Sequence, residues 1–195
     1  MPDIGGCARH SIIAAAARGD AGQVAVLDPA ARFSLRLGSA EAAARQSVAA
    51  CRIDLPINSC VVNGERLAAR LGPDEWLLTA PESDGVGLGR QIAAELAGSF
   101  FSLVDIGHRN VGFRVGGAHA RDILNGGCPL DLDDARFPAG SATRTVFGKA
   151  EIVLIRAGAA PSYQVECWRS FAPYVHGLLQ EVAREFDAIA PARPR

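Results

Sequence analysis

Hydrophobic spacing divides this chain into short strands and a few helices. Arg32-Phe-Ser-Leu-Arg-Leu37 alternates polar and apolar residues, the period of a half-buried strand. Gly38-Ser39 breaks the alternation, and Ser39 is placed to cap a helix over residues 40–50. Val61-Val62, Asn63-Gly64 and Glu65 to Leu71 read as strand, turn and strand, because Asn-Gly suits a hairpin loop with positive φ at both positions. A strand over 75–79, a helix over 86–97 and a strand over 101–105 follow. The pattern then restarts. It gives a strand over 110–115 and a helix over 118–125, with Gly126 or Gly127 as a left-handed C-terminal cap. Further strands fall at 144–147, 151–156 and 163–168. The clearest element is the last helix. Phe171, Tyr174, Val175, Leu178, Leu179, Val182 and Phe186 recur every three or four residues and make one apolar face. Ser170 is its expected N-cap, and Phe171, Leu178 and Val182 are expected in the core.

The restart has an echo in the residues themselves. Phe33–Ala42 can be laid on Val111–Ala120, with Arg36 on Arg114, Gly38 on Gly116, Ala40 on Ala118 and Ala42 on Ala120. Each segment opens a strand-turn-helix unit. The expected architecture is therefore α+β, with two similar halves that each pack helices on one face of an antiparallel sheet. The expected boundaries are a flexible arm over 1–25, a first half over 26–106, a second half over 107–190 and a frayed tail over 191–195.

Composition narrows the function classes. The 195 residues are 49% hydrophobic, enough for a substantial core, and the net charge of −1 leaves no basic stripe for nucleic acid. No apolar run approaches the roughly 18 residues of a membrane span. Ile12–Ala17 is short and lacks a basic segment immediately before it, so no signal peptide is expected. The five cysteines are irregularly spaced and form no C-x-x-C pair. That excludes the usual zinc spacings and fits reduced thiols in a cytoplasm. The four histidines form no H-x-x-x-H pair either, so no metal set is expected.

Several polar clusters invite chemical readings. His108 and Arg109 follow Asp105 at a strand end. They could receive a carboxylate or a partner loop, and the plainer reading is a solvated turn. Cys128 follows a helix C-terminus among Asp131, Asp133 and Asp134, surroundings that disfavour a thiolate nucleophile. The three aspartates lack the glycine and the distal acid of a calcium loop and read as a solvated turn. Gly112, Gly116 and Gly117 do not form a dinucleotide fingerprint. Arg144 and Lys149 flank a hairpin, either meeting an acidic partner or simply exposed. Trp168-Arg169 joins two residue types enriched at interface anchors, although a tryptophan at a strand end can equally seal a core. No catalytic, cofactor-binding or metal residues emerge. The candidate subunit interface is Arg109, Trp168 and Arg169.

Five segments carry a family resemblance. They are Leu71-Gly-Pro-Asp-Glu-Trp-Leu-Leu78, Asp105-Ile-Gly-His-Arg-Asn110, Gly127-Cys-Pro-Leu-Asp-Leu-Asp133, Thr143-Arg-Thr-Val-Phe-Gly-Lys-Ala-Glu151 and Cys167-Trp-Arg-Ser-Phe-Ala-Pro-Tyr174. Together they resemble the gamma subunit family of bacterial heterotetrameric sarcosine oxidase, from about Phe33 to Phe186. Gly107 departs from the serine usual there. The resemblance implies ferredoxin-like halves akin to the folate-binding fold of aminomethyltransferases. It implies a non-catalytic subunit of an oxidoreductase complex that oxidatively demethylates sarcosine to glycine, forms hydrogen peroxide and passes a one-carbon unit to tetrahydrofolate. FAD, FMN, NAD and tetrahydrofolate would reside on the partner subunits, with none on this chain. The implied partner is a larger flavoprotein subunit, alpha foremost, in the cytoplasm. Two alternatives stay open: the equivalent subunit of a related N-methyl amino acid dehydrogenase, and a free-standing folate-binding module with Asp105 or Glu166 as the pterin-holding acid.

Overall fold

The computed structural model describes residues 23–187. The expected tail, and the expected arm up to residue 22, lie outside the described residues; Val24 and Ala25 belong to the first strand. Ten strands form one antiparallel sheet: β1 (Val24–Val26), β2 (Ala30–Leu37), β5 (Ser59–Asn63), β6 (Arg66–Arg70), β7 (Glu75–Pro81), β8 (Phe101–Asp105), β9 (Asn110–Gly116), β10 (Ser141–Phe147), β11 (Ala150–Arg156) and β12 (Ser162–Trp168). A separate two-stranded ribbon pairs β3 (Ser47–Val48) with β4 (Cys51–Arg52). The helices are α1 (Ser39–Ala43), α2 (Gly85–Glu95), α3 (Ala120–Asn125) and α4 (Ala172–Asp187).

The strand order is β1-β9-β12-β11-β10-β5-β6-β7-β2-β8. Each half therefore contributes the same sequence of strands, run outward from a central seam. The echoed segments hold equivalent places, β2 beside β7 and β9 beside β12. The seam is narrow. Ser141 opposes Ser59, with Cys60 N–H donating to Gly140 O at 2.7 Å and Ala142 N–H to Asn58 O at 3.0 Å. The outer strands differ in origin: β1, which precedes β2 in the chain, pairs with β9 of the second half, whereas β8 pairs with β2 of its own half.

Strand alternation sorts side chains onto two faces. On the outer face, α1 and α2 cover a core containing Phe33, Leu35, Trp76, Leu78 and Ile92. On the same face of the other half, α3 and α4 cover Phe113, Phe147, Leu154, Val165 and Leu179. The sheet curls so that the inner faces meet around Cys60, Leu67, Leu77, Ala142 and Ile155.

Three local readings are corrected. The helix expected over 40–50 stops at Ala43, and the β3–β4 turn takes its place, with Ala49 and Ala50 at φ +48° and +59°. Tertiary contacts hold that left-handed turn against the helix preference of alanine. Glu95 accepts Ala49 N–H at 2.6 Å, and Arg66 donates to Ala49 O at 2.9 Å. Ser39 is the first helical residue and makes no cap, since Gly38 occupies the cap position. Gly126 ends α3 in right-handed geometry. A Cβ there would lie 2.7 Å from a Val182 methyl, so close packing of α3 on α4 is what calls for glycine.

The last helix is also set differently from the sequence expectation. Ala172, Val175, Leu179 and Ala183 are its buried residues. Leu178, Val182 and Phe186 pack at the edge of that core, while Phe171 is exposed. Leu179→Ala is therefore expected to cost about 2–5 kcal/mol, and Phe171→Ser roughly 0.5 kcal/mol or less. Urea unfolding of the two variants checks the ranking; equal losses would put Phe171 back in the core.

Candidate functional site

The curl of the sheet brings charged residues from opposite halves together. Arg32 of β2 donates through Nε to Glu166 Oε2 at 2.7 Å and through Nη2 to Oε1 at 3.0 Å. Five strands lie between β2 and β12 in the sheet order, so this pair closes the curl. Both side chains are almost completely buried. Gln164 donates a further bond to Glu166 Oε1 at 2.7 Å, and Arg32 Nη1 donates to Ala30 O at 3.1 Å. Gly112 makes room for the pair. A Cβ there would sit 2.7 Å from Glu166 Oε1 and 3.0 Å from Arg32 Nη2.

A second cross-half pair lies nearby. Glu75 of β7 accepts from Arg36 Nη2 at 2.9 Å, from Arg144 Nη1 at 2.9 Å, and closely from Arg144 Nη2. These bonds hold the Glu75 carboxyl below the usual range, chiefly the hydrogen bond from Arg144, with the charges of Arg144, Arg36 and Arg109 adding to it against the opposing effect of burial. Between the pairs runs a cleft of about 430 Å³ counting its open mouth, lined by Ser34, Glu75, Asn110, Arg144, Glu166 and Trp168 among others.

Of the three candidate interface residues, Trp168 lines this cleft, and Arg109 and Arg169 adjoin Trp168. Trp168 ends β12 opposite Asn110, and the Arg109 guanidinium stacks over its ring at 5.6 Å. Arg169 N–H donates to Arg109 O at 2.6 Å. Trp168 is 46% exposed, so it does not serve as a core seal. Phe171 and Tyr174, 38% and 40% exposed, continue from it through the first turn of α4. Their place at this site was missed because they were read as part of the buried helix stripe.

The other candidates fall elsewhere. His108 is exposed and makes no hydrogen bond to Asp105; instead, Asp105 Oδ1 accepts Gly107 N–H at 2.8 Å. Both oxygens of Glu166 are taken by Arg32 and Gln164, so it offers no free acid to a pterin ring. Cys128 is buried and has Thr145 Oγ1 3.9 Å from its sulfur. Burial pushes the Cys60 thiol up to about 11, and burial with the charge of Glu166 pushes Cys167 up to about 12, the opposite of activation. The acidic turn is not simply solvated. Asp134 Oδ1 accepts from Arg156 and Arg121, each at 2.5 Å, while Asp131 and Asp133 accept backbone N–H groups. Among the described residues there is no group of three or more histidine, cysteine or acidic side chains that could hold a metal, and no helix is long and apolar enough to cross a membrane.

Two antiparallel α+β halves curled over a common inner face define the folate-binding architecture of the aminomethyltransferases. The aminomethyltransferase T of the glycine cleavage system from Bartonella henselae superposes with a TM-score of 0.63 at 12% identity, covering 80% of this chain and 44% of that one. A chain of the heterotetrameric sarcosine oxidase from Corynebacterium sp. U-96, solved with pyrrole 2-carboxylate, superposes at 0.73 with 23% identity, covering 88% and 87%. The model of the sarcosine oxidase, gamma subunit family matches residues 37–185, and the chain belongs to that family. It is 33% identical over 88 residues to the sarcosine oxidase subunit gamma of an Arthrobacter species, a match spanning 45% of this chain and 42% of that relative.

Two predictions follow from the charge pairs. Glu166→Gln leaves Arg32 buried without its counter-charge and is expected to cost about 3–5 kcal/mol, whereas the double variant Arg32→Met, Glu166→Leu recovers most of the loss. Denaturant unfolding of both variants measures this; a neutral single variant would show that the pair holds nothing. Glu75, with its lowered folded value, contributes stability that is present above the ordinary glutamate range of about 4.3 and lost as pH falls through the lowered value. Glu75→Gln should therefore flatten the acid limb of stability below the ordinary glutamate range of about 4.3, read as urea midpoints against the parent.

Proposed function

We propose that this chain is the gamma subunit of a heterotetrameric sarcosine oxidase and serves there as a cofactor-free structural subunit. The observation that carries the reading is the family match over residues 37–185. The site supports it. The acids Glu75 and Glu166 that line the cleft are each held by arginines of this same chain, while Trp168 at its edge and Arg109 stacked on it are exposed. An arrangement of that kind suits contact with another surface better than chemistry inside the cleft.

In this reading the complex oxidatively demethylates sarcosine to glycine, reduces oxygen to hydrogen peroxide and passes the one-carbon unit to tetrahydrofolate. FAD, FMN, NAD and tetrahydrofolate belong to the larger subunits. This chain binds one of them, the alpha flavoprotein subunit foremost, through a surface that includes Arg109, Trp168 and Arg169. Four buried thiols, Cys51, Cys60, Cys128 and Cys167, remain free, which suits a cytoplasmic setting.

Purification of the chain alone and after co-expression with the larger subunits tests the proposal. The chain alone should show no flavin absorbance and no sarcosine turnover, and the co-expressed chain should elute with the flavoprotein at constant stoichiometry. Stoichiometric flavin on the isolated chain, turnover by it, or failure to co-elute would overturn the assignment.

A further inference from the structure

We infer that the aromatic lip at one end of the sheet, Trp168, Phe171 and Tyr174 flanked by Arg109 and Lys149, docks an amphipathic acidic segment of the larger flavoprotein subunit. Its apolar side chains would seat on the rings and its carboxylates on the two cations. The inference rests on the subunit assignment above and specifies what kind of surface the partner must bring.

The apolar part of the lip is concentrated in one place. Trp168 closes β12, Phe171 lies in the 3₁₀ turn of residues 169–171, and Tyr174 lies in the first turn of α4. Phe171 and Tyr174 are three residues apart, the spacing of helical neighbours. Val146, also exposed, is the last residue but one of β10, beside the turn that carries Lys149. Single exposed apolar residues need no explanation, but three aromatic rings and a valine at one sheet end do. Aromatic residues and arginine are also the types enriched at interface anchors.

The lip is held in shape before any partner arrives. Tyr174 Oη accepts Lys149 N–H at 3.1 Å, which pins α4 to the β10–β11 turn. Arg169 N–H on Arg109 O ties the start of β9 to the end of β12, and the Arg109 guanidinium, bonded through Nε to Asn110 Oδ1 at 3.2 Å, rests over Trp168. A pre-ordered surface loses less conformational freedom on binding than a mobile one.

Charge decides the chemistry of the occupant. Arg32, Arg36, Arg121, Arg144 and Arg156 are all ion-paired within the chain. Arg109 and Lys149 are exposed, and among the described residues neither is joined to a carboxylate. Glu151, at the same rim, faces Arg144 at 3.9 Å. A partner that covered Arg109 and Lys149 with apolar atoms alone would strip two cations of water without compensation. A segment that places carboxylates beside them meets no such penalty.

The test measures binding of the purified chain to the flavoprotein subassembly at about 50 and 300 mM salt. The variants are Arg109→Glu with Lys149→Glu, and Phe171→Ser with Tyr174→Ser; thermal unfolding of each isolated variant shows that it folds. The charge reversal should weaken binding at low salt by at least about tenfold and flatten its salt dependence. The aromatic variant should weaken binding about as much and keep the salt dependence of the parent. Parental affinity and salt dependence in both folded variants would overturn the docking surface while leaving the subunit assignment standing. A parent chain that does not bind the subassembly at all would overturn both.

Discussion

The buried pair between Arg32 and Glu166 is the constraint on which the rest of the architecture depends. A sheet of ten strands joined at a seam as narrow as Ser59 opposite Ser141 could open there like a book. The ion pair reaches across the curl and fixes the angle. It does so because a cation and an anion without water tolerate very little displacement: either one left alone would carry an uncompensated charge inside the protein. Gln164 and the Ala30 carbonyl complete the bonding, and Gly112 provides the space. One outer strand works in the same direction: β1, from the N-terminal side of β2, completes the edge of the second half's sheet beside β9.

Much of the fold was legible in the sequence because hydrophobic spacing between turn residues located β2, β7 and β9 to β12 within a few residues. Alternation contributed in β2, whereas β7 is buried on both faces between the helix-covered core and the inner cluster and shows none. Legibility ended where long-range contacts overrode local preference. Nothing near Ala49 and Ala50 announces a left-handed turn; the Glu95 and Arg66 side chains that impose it are distant in sequence. Gly126 looked like a cap because glycine after a helix usually is one, yet its real partner is Val182 on another helix.

The candidate site was legible as residues but not as a place. Arg109, Trp168 and Arg169 were singled out for their chemistry, and the pairing of Trp168 with Asn110 brings them together. Phe171 was misassigned for a geometric reason. Counted back from Val175 at four-residue spacing it belongs to the buried stripe, but residues 169–171 wind as a 3₁₀ turn, with three residues per turn instead of 3.6. The different angular step turns the Phe171 ring out of the stripe, and Tyr174, in the first turn of α4, is exposed with it, so the stripe is buried only from Val175 onward. Glu166 gave a subtler difficulty. As a glutamate in an apolar strand it resembles a ligand-holding acid, and only the fold reveals that its ligand is Arg32.

The use of charge separates the interior of this protein from its rim. Inside the curl, each acid has an arginine supplied by the opposite half, so the charges there are consumed in holding the halves together. Such pairs make poor catalytic groups, because a carboxylate that already accepts bonds from one or two guanidinium groups is a weak base and is slow to leave its position. At the rim the balance is different: Arg109 stacks on Trp168, Lys149 lies in the turn that Tyr174 pins, and among the described residues neither forms a salt bridge. A binding pocket and an assembly surface place opposite demands on the same fold, since a pocket requires free polar groups inside and an interface requires them outside. Inner acids bound by the chain's own arginines and aromatic rings turned out match the second demand, which is the one the proposed subunit role makes.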